Sequence, residues 1–375
     1  MSFPRRAIAV LGTGLFGMGL AVGGFGTYVS LLVAREVPPG VAGLGATLFL
    51  FGQSVVVLPT DVLSRVRSVR AMAAAGLTLG AAGTAFGGAL AVPVALGGRL
   101  LLGIGMGATF LAAMKYAGLC AAEGAVARTQ GLIGALFTLG LAVGIAVTPV
   151  AVDRLGSFLP GVVAAVPVGL AAVAAPSLAP VETNGRQSMW AYVAAFRDPG
   201  SLALGLANAA SYGLLIVAST WYTDVLAREP LLPATLVLTS FAAATFVGRT
   251  WSGYLTAVFT RRRAVEVGLV VLAVALGAVA VALATGAPVV LGVGLAVTGA
   301  GFGLPFGPLF SLAFERVGVD AGVLLVGMTV VGNAVALVYP WLVGRLLSAT
   351  AGYAAGFGLM TVSVLGVVGV WRIAV

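Results

Sequence analysis

Residues 98–108 read GRLLLGIGMGA. One arginine, Arg99, opens a run with no other charge, and glycines recur at Gly103, Gly105 and Gly107. Extended in both directions to 94–118, the run meets only one further charge, Lys115. About 20 mostly apolar residues suffice to cross a hydrocarbon core of about 30 Å. Small residues at i and i+4 let two helices touch backbone to backbone. The stretch therefore predicts a membrane-spanning helix that packs closely on its neighbours. A barrel strand would alternate in polarity over about 10 residues, and this run does not.

The same pattern recurs from end to end. The spans predicted are 7–33, 40–60, 70–92, 94–118, 128–151, 157–176, 201–226, 233–258, 265–285, 288–313, 321–346 and 351–372, with the third and fourth barely separated near Pro93. Hydrophobic residues make up 60% of the 375 and charged residues 8%, against about 25% charged in a soluble domain. No water-soluble fold hides that much apolar surface. The prediction is an all-α membrane protein of twelve transmembrane helices. Residues 7–33 follow two arginines as a signal peptide would, but with no clear small-residue cleavage site they are expected to stay as the first helix.

The net charge of +9 is a topology signal. Arg5, Arg6, Arg65, Arg67, Arg70, Arg128, Arg186, Arg197, Arg261, Arg262, Arg263, Arg316 and Arg372 share one side if the helices alternate. Arg35, Arg154, Arg228 and Arg345 occupy the other, with Glu36, Asp153, Asp224 and Glu229 close by. Basic loops stay inside, so both ends are expected in the cytoplasm of a cell-membrane protein. The lipid bilayer is the partner this implies, and nucleic acid is not.

The longest polar interruption, about 177–200, divides the chain into six spans and six. Pro176, Pro180, Asn184 and Gly185 mark a loop there. Residues 188–196 form either an interfacial helix with Trp190, Val193 and Phe196 on one face or an irregular linker. The domains expected are 1–176, a linker 177–200 and 201–375. The halves echo each other. Short basic loops follow spans two and eight, and a proline followed five residues later by Arg-Leu ends spans five and eleven, at Pro149 and Pro340. Duplicated six-helix units are the architecture of many secondary transporters.

With these features the chain resembles the major facilitator superfamily of transporters. GRLLLGIGMGA is similar to that family's Arg-x-x-x-Gly-x-Gly-x-Gly/Ala pattern through Arg99, Gly103, Gly105 and Gly107, which the resemblance makes a helix-packing motif. The segment Asp61 to Arg70 matches the spacing of the family's loop after helix two, with Arg65 where an aspartate is usual. Its second copy, after helix eight, keeps Gly253 and Leu255. Asp61, Arg65, Arg70 and Gly253 are therefore expected in a conformational loop. Gly131, Gly140 and Gly144 match the spacing of the antiporter motif, but Ile145 stands where its proline belongs, which disfavours a drug/proton antiporter.

Chemistry is narrowed further by what is missing. There is no His and one cysteine, Cys120, so zinc sites, histidine bases and an internal disulfide are excluded. No Walker loop is present. Neither an enzyme nor a metal or cofactor is expected. A cation at mid-bilayer costs about 2.5–3.5 kcal/mol, so Arg99, Lys115 and Arg249 are the candidates for substrate binding or gating. Arg99 and Lys115 are also near enough to span ends to snorkel. No Asp or Glu lies in the central part of spans one, four, five, seven, eight, ten and eleven, with Asp61, Asp153, Asp224, Glu315 and Asp320 near ends or loops. This predicts a cavity that prefers an anionic solute. Gln53, Asn208, Tyr212 and Asn333 supply uncharged polar groups to the cavity or to helix contacts. Tyr28 and Trp221 are expected at the outer interface as belt aromatics. Phe302, Pro305, Phe306 and Pro308 predict a bent helix.

The function expected is secondary active transport of a small, anionic solute by alternating access, with a proton as a candidate coupling ion, in a monomer. Efflux of lipophilic compounds and a non-transporting sensor or scaffold of the same fold stand as alternatives.

Overall fold

A computed structural model describes residues 3–121, 126–181, 187–229, 231–315, 320–350 and 352–375. Asn184, Gly185, Arg186 and Arg316 lie outside the described residues. The first half runs α1 (Phe3–Ala34), α2 (Pro39–Val66), α3 (Val69–Phe86), α4 (Val92–Cys120), α5 (Val126–Leu155) and α6 (Leu159–Ala174). A short helix α7 (Met189–Arg197) lies between the halves. The second half runs α8 (Pro199–Asn208), α9 (Leu214–Ala227), α10 (Ala234–Val258), α11 (Arg261–Thr285), α12 (Pro288–Gly303), α13 (Phe306–Glu315), α14 (Ala321–Ala336), α15 (Tyr339–Thr350) and α16 (Ala354–Ala374). No strand occurs among the described residues.

Pairs of these helices make single crossings. α8 and α9 are joined by a π-helical turn at Ala209–Gly213, α12 and α13 meet at Leu304–Pro305, and α14 and α15 at Leu337–Val338. Eleven stretches are long and apolar enough to cross a membrane among the described residues. The twelfth crossing, α10, is 25 residues long and carries Arg249. The chain is a twelve-helix membrane protein. The break at Pro305 is where a backbone donor is missing, so the bend expected of span ten is present. The π turn carries no proline and is an addition to what the hydropathy pattern predicts.

Glycine sets the closeness of the packing. Gly19 and Gly23 on α1 face Gly140 and Gly144 on α5. A β-carbon at Gly140 would sit 2.0 Å from the Phe16 carbonyl oxygen, and one at Gly23 2.0 Å from that of Leu141. On α4, Gly103 abuts the Phe49 carbonyl and Gly107 the Gln53 backbone, both of α2, while Gly105 abuts Gly80 of α3. One helix thus seats two others through alternating glycines. The outward faces stay apolar, with Leu170, Val274 and Ile373 among the exposed side chains, and lipid is the solvent that suits them.

Two expectations are corrected here. Trp221 and Tyr28 are buried and are not belt aromatics. Trp221 lies against Gly43, Gly344 and Tyr353, and the Tyr28 hydroxyl donates to the Ser157 carbonyl at 2.9 Å. Asp61 and Arg65 belong to helix α2, which continues to Val66, and Gly253 belongs to helix α10. The only residues between α2 and α3 are Arg67 and Ser68.

Candidate functional site

The two halves meet along α1 with α9, α2 with α14 and α15, and α5 with α10. Polar side chains gather at two depths of this seam.

The deeper group centres on Arg249 of α10, a fully buried guanidinium 1% exposed. Its carbon lies 4.2 Å from the Phe306 ring centre, 5.9 Å from Phe137 and 6.0 Å from Tyr212. Nη1 donates to the Gly134 carbonyl of α5 at 3.3 Å. Nε and Nη2 have no partner. Gly131 lies beside this group, its Cβ position at an ordinary contact distance of 3.7 Å from the Arg249 carbonyl. Tyr212 connects Arg249 to the other polar residues. Its hydroxyl accepts from Gln53 Nε2 at 3.1 Å, and Gln53 Oε1 accepts from Asn333 Nδ2 at 3.0 Å. These bonds join α2 to the π turn and to α14. The π turn matters because it swings Tyr212 into this row. Asn208 donates to the Met328 carbonyl at 3.3 Å and packs on Gly332. The acceptor oxygens of Asn208 and Asn333 are buried and unpartnered.

The structure thus brings Arg249, Tyr212, Gln53 and Asn333 together, with Asn208 beside them. It also adds a residue the sequence did not flag. Gln130 on α5, one turn before Gly134, is fully buried with both amide atoms unpartnered. Its position just past the start of span five made it resemble a span-end polar residue.

The second group lies nearer the face that carries both chain ends, here the terminal face. Asp61 is completely buried. It accepts from Arg65 Nε at 2.9 Å, from the Tyr192 hydroxyl of α7, and pairs with Lys115 Nζ of α4. Lys115 also donates to Ser64 Oγ at 2.7 Å. Arg65 reaches across the seam to Asp320, with N–O distances of 2.5 and 3.3 Å. Asp320 caps α14 by accepting the Gly322 and Val323 amides at 2.9 and 3.2 Å, where the helix dipole favours a carboxylate. Burial opposes ionisation of Asp320, but Arg65 and the two amides outweigh it and hold its carboxyl below the ordinary range. Burial beside Asp61 pushes the Tyr192 phenol up, so it stays protonated. Arg70 sits apart, donating to the carbonyls of Pro176 and Leu178 at 3.3 Å each.

The pairing corrects the picture of three unbalanced interior cations. Lys115 has a carboxylate, because α2 runs on past residue 60 and carries Asp61 inward instead of leaving it in a loop. It belongs to the terminal-face cluster and not to the Arg249 group. The Gly253 position is open, with nothing within 4 Å of a β-carbon, so it shares nothing with this cluster. Arg99 stands elsewhere too. Its guanidinium lies 3.9 Å from the Phe25 ring centre and 5.3 Å from that of Phe49, and Nη1 donates to the Ala21 carbonyl at 3.2 Å.

At the opposite face the seam is closed by backbone contact. A β-carbon at Gly43 of α2 would meet the Pro340 carbonyl at 2.7 Å, and one at Gly344 of α15 the Pro39 carbonyl at 2.9 Å. The deep group is therefore enclosed between an ion-paired end and a glycine-packed end.

Known proteins share this fold. A sequence model described as Major Facilitator Superfamily matches residues 9–340. No curated protein sequence matches the chain. Among solved structures it is similar to the E. coli fucose:proton symporter FucP, crystallised as an asparagine-to-alanine variant, with a TM-score of 0.68, 15% identity and 98% of each chain covered. A second structure of FucP, described as an MFS transporter in the outward conformation, gives a TM-score of 0.69 and 16% identity, covering 99% of this chain and 100% of that one. At such identities the likeness is one of fold.

Proposed function

The chain belongs to the major facilitator superfamily of transporters, and from that premise we propose that it carries a small anionic solute bound at Arg249. The observation that supports this reading is the state of that side chain. A guanidinium fully removed from water is costly to leave uncompensated. Among the described residues no carboxylate pairs with Arg249, and two of its nitrogens have no partner. An anion placed there would complete the charge. Phe306, Phe137 and Tyr212 form the surrounding wall, and the linked Tyr212, Gln53 and Asn333 side chains add neutral polar groups that orient a solute without competing for the charge.

Access alternates, on this reading, by rocking of the units 1–176 and 201–375, joined by 177–200, about the enclosed group. The Asp61–Arg65–Lys115–Asp320 cluster closes the terminal face and the Gly43–Pro340 contact closes the other. The arginine excess at the terminal face supports a cell-membrane protein with both ends in the cytoplasm, and the twelve crossings of one chain suffice to build a monomeric carrier. A proton is the coupling ion proposed, by analogy with the fucose:proton symporter whose fold the chain shares.

The test is counterflow in proteoliposomes loaded with a panel of small carboxylates, phosphates and sulfonates. Counterflow of at least one anion, lost in Arg249→Ala while Arg70→Ala retains it, is the expected result. Transport of only neutral or cationic solutes, or undiminished anion counterflow in Arg249→Ala, would remove the anion reading. An imposed pH gradient should drive accumulation of the same anion.

A further inference from the structure

A separate cavity lies within the first half of the chain, away from the seam. It is a recess of about 200 Å³ between α1, α3, α4, α5 and α6. Its walls are apolar, including Leu20, Val143 and Ala164. Val147, Leu155 and Val163 line it too, and each is about half exposed on the outward faces of α5 and α6. Those faces look outward from the bundle, so the cavity opens sideways toward lipid.

The inner end is of opposite character. Arg99 lines it, 1% exposed, with Nε buried and unpartnered. Thr84 Oγ1 is likewise fully buried, unpartnered and part of the lining. The other contacts of Arg99 are neutral, to the Ala21 carbonyl and the Phe25 ring. No carboxylate pairs with it among the described residues. The space therefore has an oily mouth facing lipid and a cationic end with free donors.

We propose that this cavity binds a long-chain carboxylate that enters from the bilayer, its head on Arg99 and Thr84 and its chain passing out between Val147 and Val163. A carboxylate suits the position because it can take the Arg99 charge, and a turn of the Arg99 and Thr84 side chains would present it with their unpartnered donors. The chain suits it because, apart from Tyr28 and Thr148, the remaining walls are apolar and would leave a small hydrated anion poorly compensated. The site is separate from the solute position at Arg249 and does not depend on what that position carries.

The experiment uses the full chain in lipid nanodiscs and a photoreactive long-chain fatty acid, with sites of attachment read by mass spectrometry. Attachment to residues lining the cavity, displaced by oleate and at least tenfold less well by methyl oleate, is the expected result. Arg99→Gln should reduce labelling at least tenfold. Val163→Trp, a change at an exposed position that obstructs the mouth without touching Arg99, should do the same with the melting temperature retained. Arg249→Gln should leave labelling intact. Equal displacement by oleate and its ester, labelling spread over outer faces such as α16, or full labelling in Val163→Trp would overturn the proposal. Loss of labelling in Arg249→Gln would do so too, since it would place the acid in the seam.

Discussion

Arg249 and Lys115 are both cations in apolar helices, yet the fold treats them in opposite ways. Lys115 is neutralised by Asp61, whereas Arg249 is left with rings and one carbonyl. Replacing Asp61 with Asn would strand Lys115. Removing one partner of a buried pair costs about 3–5 kcal/mol, so Asp61→Asn should lower the melting temperature of the detergent-purified protein sharply, and Asp61→Asn with Lys115→Met should recover much of it. Asp320 carries a pH dependence whose sign follows from its depressed carboxyl. Its contribution is complete at neutral pH and fades as pH falls through its folded value. Acid should therefore destabilise the native protein more than Asp320→Asn, which has already lost that contribution; melting curves taken in steps below pH 5 check it. Arg249 was legible in the sequence because a guanidinium ten residues from a span end has no cheap explanation. The Lys115–Asp61 pair was not, because whether a helix stops at residue 60 or at 66 decides if an aspartate is inside, and hydropathy blurs that edge.

The helices themselves were read more securely than their interruptions. Twelve apolar runs announce twelve crossings, and Pro305 announces a bend. The π turn at Ala209–Gly213 is a slipped hydrogen-bond register, and the pattern of apolar residues that reveals a helix does not reveal a slip within it. Burial of Trp221 likewise depends on two glycines, Gly43 and Gly344, that lie far apart in sequence. The glycine motifs make a clean contrast. Gly140→Ala would push a methyl group into a carbonyl of α1, and overpacking of this kind costs about 1–3 kcal/mol. Gly253→Ala meets open space inside a helix and should raise stability by up to about 1 kcal/mol through helix propensity. Paired thermal melts of the two variants test whether the motif glycine of α5 packs while that of α10 is free.

At the scale of the whole molecule the two closed ends differ in kind, one held by charge and the other by backbone proximity. Cysteines replacing Arg65 and Asp320, in a Cys120→Ser background, joined by a short bifunctional thiol reagent, should arrest counterflow, and a reductant-cleavable version of the reagent should restore it. The duplicated plan of six and six crossings was visible from the spacing of basic loops and of Pro149 and Pro340. Which residues meet across the seam was not, since partners such as Gln53 and Asn333 are separated by 280 positions. The charge-held end has a consequence for motion. Asp61, Arg65 and Lys115 stay with the first half and Asp320 with the second. Parting therefore leaves one surplus positive charge facing one surplus negative charge across a gap that fills with water. The separated mouths pull on each other like a weak electrostatic spring, and dissolved ions slacken it over distances of about 8 Å at physiological ionic strength. Raising the salt should lengthen the dwell of the parted form in single-molecule fluorescence traces, and a variant with both Arg65 and Asp320 neutralised should ignore the salt.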